Sequence, residues 1–293
     1  MSKSKVDSAA PQVFRFFDQL PAKVHRLSEL AGYLDEHGEE WGLPVGFSTQ
    51  RFIRFLIEAG HLSEIAFPFP PPYKREVRYM WEEVSLYEVA QTLKPNSYFS
   101  HYTAVKFHGL TEQLPKTTYL NVEQRNPSVS TGALTQKAID TAFRRAARTS
   151  GNIAETRDFR VCIVSGKNTG NLGVITKAVV LEAGPLRFTN LERTLIDAAV
   201  RPGYAGGVFE VRKAYELARP MLSVEELAAM LAKLAYTYPY HQAIGYYLER
   251  AGHPSAELEV LRKLPMEFDF YLTHQMSQTD YVKEWRLFVP KGF

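Results

Sequence analysis

Between Pro11 and Trp81 the apolar residues change their spacing. In "PQVFRFFDQL" (Pro11–Leu20), Val13, Phe14, Phe16, Phe17 and Leu20 predict a short helix with Pro11 near its start. "RLSELAGYLDEHG" (Arg26–Gly38) repeats the helical pattern through Leu27, Leu30, Ala31 and Leu34, with Ser28 placed to cap it. "GLPVG" (Gly42–Gly46) reads as a tight turn. A third helix follows, with Ser48 as its N-cap and Gly60 as its stop. Phe52, Phe55, Leu56 and Ala59 fall on one side of it, widened by Ile53 and Ile57. Gln50, Arg51, Arg54 and Glu58 gather on an opposite arc of roughly 100°. The period then shortens to two. "HLSEIAF" and "EVRYMW" read as strands, with Val77, Tyr79 and Trp81 alternating with Arg78 and Met80. Between them "PFPPPYKR" (Pro68–Arg75) predicts a stiff loop, because proline removes donors and fixes φ.

Turn chemistry at Lys94-Pro95-Asn96-Ser97, within "EVAQTLKPNSYFS" (Glu88–Ser100), marks a boundary, giving domains at residues 1–94 and 95–293. Ser97 is placed to cap a helix ending at Gly109, with Tyr98, Tyr102, Val105 and Leu110 spaced to bury. "TTYLNVE" (Thr117–Glu123) predicts a strand, and "TQKAIDTAFRRAARTS" (Thr135–Ser150) a basic helix carrying Lys137, Arg144, Arg145 and Arg148. Asp158–Asn190 reads as strand, turn, strand, turn, strand, with "GKNTGNLG" as a hairpin turn. In "FTNLERTLIDAAVRP" (Phe188–Pro202), Thr189 and Glu192 form a capping box, and Leu191, Leu195, Ile196 and Ala199 a buried stripe. Arg193 and Asp197, four apart, are expected to pair on the surface. Three amphipathic helices follow, in "GGVFEVRKAYELA", "SVEELAAMLAKLA" and "YPYHQAIGYYLERAG", then strands in "MEFDFYLTH" and "WRLFVP". The predicted class is α+β: an N-terminal winged helix-turn-helix followed by a larger mixed α/β domain.

Composition narrows the chemistry. The 293 residues suit two domains, and 45% hydrophobic with 13% aromatic residues can fill their cores. A net charge of +3 does not by itself argue for nucleic acid. The single cysteine, Cys162, excludes an intrachain disulfide and reads as a small core residue. His101 and His108 lie seven apart with no carboxylate or cysteine beside them, so no metal is expected. "GKNTGNLG" departs from a phosphate loop: Val161 stands where the first glycine is needed and Asn168 where Ser or Thr is. No Ser-His-Asp, zinc or dinucleotide spacing stands out, so neither catalytic residues nor a cofactor are expected. "MSKSKVDSAAPQ" lacks the apolar stretch of a secretory leader, and no run of about 18 apolar residues exists. A cytoplasmic location is expected.

Three helices and a hairpin, in that order, match a winged helix-turn-helix. The third helix would enter the DNA major groove, with Ser48, Thr49, Gln50, Arg51 and Arg54 against base edges. Gln pairs with adenine and Arg with guanine, each through two hydrogen bonds. Lys74 and Arg75 at the loop tip would reach phosphate or the minor groove. Against this stand Glu39, Glu40, Glu82 and Glu83, which break up any uniformly basic surface. A polar helix face is also what solvent alone requires, and a winged helix can dock protein instead of DNA.

"SYFSHYTAVKFHGLTEQLPKTTYLN" (Ser97–Asn121), "FTNLERTLIDAAVRPGYAGGVFEVRKAYELA" (Phe188–Ala218) and "EWRLFVP" (Glu284–Pro290) resemble the AbiEi family of antitoxins from bacterial abortive-infection operons, with "ERTLIDAAVRP" the most specific block. The resemblance implies a bipartite phage-defence protein. Its winged helix would bind inverted repeats in its own promoter and repress the operon. Its C-terminal domain would counter a nucleotidyltransferase-like toxin of the AbiEii type. Lys137, Arg144, Arg145 and Arg148 are the candidate antitoxin surface. An inverted repeat needs two copies, which can be monomers that meet on DNA. The proline-rich wing departs from the family pattern, and the slight excess of acids over bases across residues 1–95 predicts modest, salt-sensitive affinity. Two alternatives stay open: a nucleotide-dependent enzyme acting on the toxin, with the basic helix holding phosphates, or a protein-docking module that binds no DNA.

Overall fold

The computed structural model describes residues 5–125, 133–156, 159–180, 182 and 184–293. The chain is α+β and divides into two units. The first comprises Met1–Pro95 with Ala154–Phe159 and Glu182–Gly184; the second comprises the remainder.

The first unit runs α1 (Lys5–Gln19), β1 (Val24–His25), α2 (Leu27–His37), α3 (Thr49–Glu58), β2 (Leu62–Phe67), β3 (Glu76–Trp81) and α4 (Leu86–Gln91). Its sheet has the order β1-β3-β2, with β2 and β3 antiparallel from Leu62↔Trp81 to Phe67↔Glu76. The three longer helices bury Val13, Phe17, Leu30, Phe52 and Leu56 around Trp81, which stacks on Phe17 with centroids 4.7 Å apart.

Local chemistry shifts several predicted details. Pro11 lies inside α1 rather than near its start, since the buried stripe of Ala9, Val13 and Phe17 extends past it. Arg26, not Ser28, is the N-cap of α2, and its backbone N–H donates to Glu29 Oε2 at 2.6 Å. Ile57 and Ala59 of α3 are exposed, so the core face is narrower than the wheel suggests. Arg78 is buried rather than outward-facing. Its guanidinium donates to the hydroxyl and carbonyl of Thr92, both at 2.9 Å, and to Glu76 at 3.2 Å. The Thr92 acceptors follow α4, within the stretch expected to be a linker.

The second unit begins with β4 (Tyr98–Phe99), α5 (His101–Phe107), β5 (Thr118–Glu123) and α6 (Gln136–Arg144). β6 (Ile153–Thr156) and the start of β7 (Phe159–Gly166) fall at the boundary between the units. Then come β8 (Val174–Ala178), β9 (Pro185–Thr189), α7 (Leu191–Val200), α8 (Val208–Ala218), α9 (Val224–Leu234), α10 (Tyr240–Arg250) and α11 (Ser255–Arg262). Three short strands close the chain: β10 (Phe270–Tyr271), β11 (Thr279–Val282) and β12 (Leu287–Pro290), in the sheet order β10-β12-β11. In the larger sheet β7, β5, β4, β9 and β8 are successive neighbours.

That order corrects one prediction. β7 and β8 are not partners, so "GKNTGNLG" is a crossover past three strands and not a hairpin turn. Ser97 caps no helix either, because Tyr98–Phe99 joins the sheet and α5 starts after Ser100. α7 is capped by Asn190, whose Oδ1 accepts from the Arg193 amide at 3.0 Å, while Thr189 closes β9. α6 stops at Arg144 and the backbone is extended at Arg145, so Arg148 lies off the helix. α11 and β11 are additions to the predicted elements.

Helices α7, α8 and α10 pack through Leu195, Ile196, Val211, Tyr215, Ile244 and Tyr247, and Trp285 is fully buried with them. Gly245 on α10 permits this: a Cβ there would overlap Cζ3 and Cη2 of the Trp285 ring. Gly245→Ala is therefore expected to destabilise the chain by about 1–3 kcal/mol, as overpacking does. A lowered urea midpoint at unchanged m-value is the readout.

Candidate functional site

The face of α3 is set by what its other side buries. Phe52, Ile53 and Leu56 sink into the core against Leu62 and Trp81, which fixes the rotation of the helix. Ser48 caps it by accepting the Arg51 amide at 3.4 Å. Ser48, Gln50, Arg51 and Arg54 are exposed and Thr49 is half-buried. Among the described residues, no hydrogen bond or ion pair engages the guanidinium of Arg51 or of Arg54. They are two unneutralised forks on a rigid support.

The hairpin loop begins after Phe67↔Glu76. Phe69 is buried and anchors its base, and the Tyr73 amide closes a turn onto the Pro70 carbonyl at 2.9 Å. Tyr73, Lys74 and Arg75 stand exposed after it. Nearby acids are partly engaged. Glu76 pairs with Lys94 at 2.8 Å and with Arg78, and Glu82 pairs with His61 at 2.7 Å.

The four basic residues of the second unit are all exposed, but the structure gathers only some of them. Lys137 and Arg145 line a shallow surface depression with Thr135, Ala138, Thr141 and Ala142. Arg144 and Arg148 lie outside that lining, and the Arg148 carbonyl accepts from Arg201.

The most organised polar group lies elsewhere. Arg193 and Asp197, expected on the surface, are only 4% and 5% exposed. Arg193 Nε donates to Asp197 Oδ1 at 2.8 Å, and Nη1 donates to the Leu172 carbonyl at 2.8 Å and to Thr169 Oγ1 at 3.2 Å. Burial alone would lower the Arg193 pKa, but the Asp197 carboxylate holds it above the ordinary value. Glu123 receives the amides of Thr169 and Asn171, the Thr169 hydroxyl and, at 3.1 Å, the Tyr98 hydroxyl. Burial pushes this carboxyl up, yet the bonds from Thr169 and Asn171 bring it below its ordinary value. Gly173 lets the loop lie flat on α7. Its φ is +73°, and a Cβ would meet Arg193 Cβ at 2.9 Å. The cluster thus ties loop 167–173 to α7. Sequence reasoning missed it because charge argued for solvent. The available signal was at Asp197 alone, which sits between Ile196 and Ala198, while Arg193 lies between Glu192 and Thr194.

Two buried histidines give the unit a pH dependence. Burial holds both His101 and His241 to about 4. The unfolded chain, near 6.5, takes up protons first. Stability is full above about pH 6.5 and is lost as pH falls toward 4, by up to about 3 kcal/mol per histidine. Unfolding midpoints at pH 7.5, 5.5 and 4.5 are expected to fall in that order. His101→Asn should flatten the profile by one proton, since asparagine tolerates the φ of +52° found there.

Among the described residues, no three His, Cys, Asp or Glu side chains converge to hold a metal. No helix there is long and apolar enough to cross a membrane. No protein-family model matches the chain, and no curated protein does. Among solved structures it is similar to the crystal structure of the RV2827C protein from Mycobacterium tuberculosis, with a TM-score of 0.61 and 16% identity, over 96% of this chain and 91% of that one. At that identity the likeness speaks to fold alone: the chain shares an α+β fold with that protein.

Proposed function

We propose that the chain is a DNA-binding autorepressor that also acts as an antitoxin of the AbiEi kind. In this reading the first unit is a winged helix-turn-helix, with α2 and α3 as the recognition pair and β2–β3 as the wing. The observation that carries it is the exposed and unneutralised Arg51–Arg54 pair on a helix whose other face is locked in the core. A purely solvated face gains nothing from such rigidity. A base-reading face needs it, because bidentate contacts are geometrically demanding. The operator would be an inverted repeat upstream of the chain's own reading frame, occupied by two copies. The second unit would counter a nucleotidyltransferase-like toxin in the cytoplasm, with Lys137, Arg144, Arg145 and Arg148 as its candidate surface.

A gel-shift assay with the upstream duplex tests the reading. Retardation of that fragment, against an unrelated duplex of equal length, is expected at 50 mM salt and should weaken strongly by 200 mM. Equal affinity for both fragments would remove the operator, and no retardation of either would remove DNA binding.

A further inference from the structure

Three aromatic rings stand exposed among the described residues: Tyr73, Phe209 and Tyr281. Two of them are engaged. Phe209 lies against Phe293 at 5.1 Å, and the Tyr281 hydroxyl donates to Asp269 at 2.8 Å. Tyr73 has neither a ring contact nor a side-chain hydrogen bond. Its support is also restrained. Three consecutive prolines precede it, Phe69 anchors the loop base, and its own amide closes the turn onto Pro70. Proline fixes φ, so ordering such a tip on a ligand costs little conformational entropy. Lys74 and Arg75 follow it, both exposed. The hairpin belongs to the same core as α3, through Leu62 and Trp81.

We infer that Tyr73 is a DNA-contacting residue that inserts its ring at a minor-groove base step, with Lys74 and Arg75 on the flanking phosphates. The inference rests on the DNA-binding reading above and adds to it a part that the two cations alone would not perform. An apolar wedge entering the minor groove partly unstacks the step it meets. Pyrimidine–purine steps yield most easily, so the tip would favour TA or CA/TG at its point of contact without reading base edges. The sequence pattern of an aromatic beside cations suits this, because the ring takes the base and the cations take the backbone.

The test uses the full chain and a duplex of its upstream region carrying 2-aminopurine at successive positions. Wild type and Tyr73→Phe should brighten the probe at one step. Tyr73→Ala should not, and should bind about tenfold more weakly with an unchanged salt slope. Lys74→Ala with Arg75→Ala should instead reduce the log–log salt slope by about two. An unfolding midpoint equal to wild type shows that Tyr73→Ala has left the fold intact. If wild type binds the duplex and Tyr73→Ala matches it in affinity and brightening, this inference is wrong while the DNA-binding reading stands. If wild type binds no duplex, both fall together.

Discussion

Asp197→Ala is expected to destabilise the second unit by about 3–5 kcal/mol, the cost of leaving a buried charge without its partner. The charge left behind is the Arg193 guanidinium, 4% exposed, whose remaining partners are the neutral Thr169 hydroxyl and Leu172 carbonyl. Arg193→Ala should cost a similar amount. It leaves the buried Asp197 without its cation, with only the Tyr236 hydroxyl at 3.5 Å, and also releases loop 167–173, which Arg193 holds against α7. With folded domains stable by only about 5–15 kcal/mol, either change should leave little margin at 37 °C. Replacing both at once with apolar residues of like volume, R193M with D197L, should recover much of the loss, since no unpaired charge remains. Urea unfolding of the three variants is the measurement. A loss below about 1 kcal/mol for Asp197→Ala would be what an exposed ion pair gives, and would place the pair in solvent.

The second large effect is on binding. Arg51→Ala with Arg54→Ala should weaken operator affinity by at least about 30-fold, because each bidentate contact to a base contributes about 1–3 kcal/mol. Stability should barely move, since exposed substitutions away from caps and cores stay within about 0.5 kcal/mol. Arg51→Lys with Arg54→Lys separates charge from geometry: it keeps both cations, loses both forks, and should recover affinity only in part. Anisotropy titrations at one fixed salt concentration read all three proteins. Equal affinity of the double alanine variant and wild type would move the base contacts off α3.

How much of this was legible in the sequence depended on whether one residue's neighbours in the chain were also its neighbours in space. α3 was read nearly to its ends, because its cap, its apolar stripe and its stop are all local. β2 and β3 were read for the same reason. Arg78 and the Arg193–Asp197 pair are buried against the expectation from their charge. Charge predicts solvent, and the acceptors that make burial tolerable come from elsewhere in the chain: Thr92 for Arg78, and Thr169 and Leu172 for Arg193. The 167–173 segment failed likewise. Two strands separated by a glycine-rich stretch look like a hairpin until β5, β4 and β9 are known to lie between them. The short elements β1 and α4 carry too few residues for a period to show. The candidate site itself, from Ser48 to Arg54 and at Lys74 and Arg75, was visible as positions. That the two α3 arginines are left unneutralised needed coordinates.

The most direct test of the account is a photo-crosslink from the face of α3. A benzophenone side chain placed at Gln50, which is exposed, should join the protein to duplex DNA of its upstream region, with adducts confined to one stretch of each half of the proposed inverted repeat. The same group at exposed Glu225, in the first turn of α9, serves as the comparison and should give no adduct. Crosslinks from Glu225 with none from Gln50, at a concentration where the duplex is bound, would contradict the account.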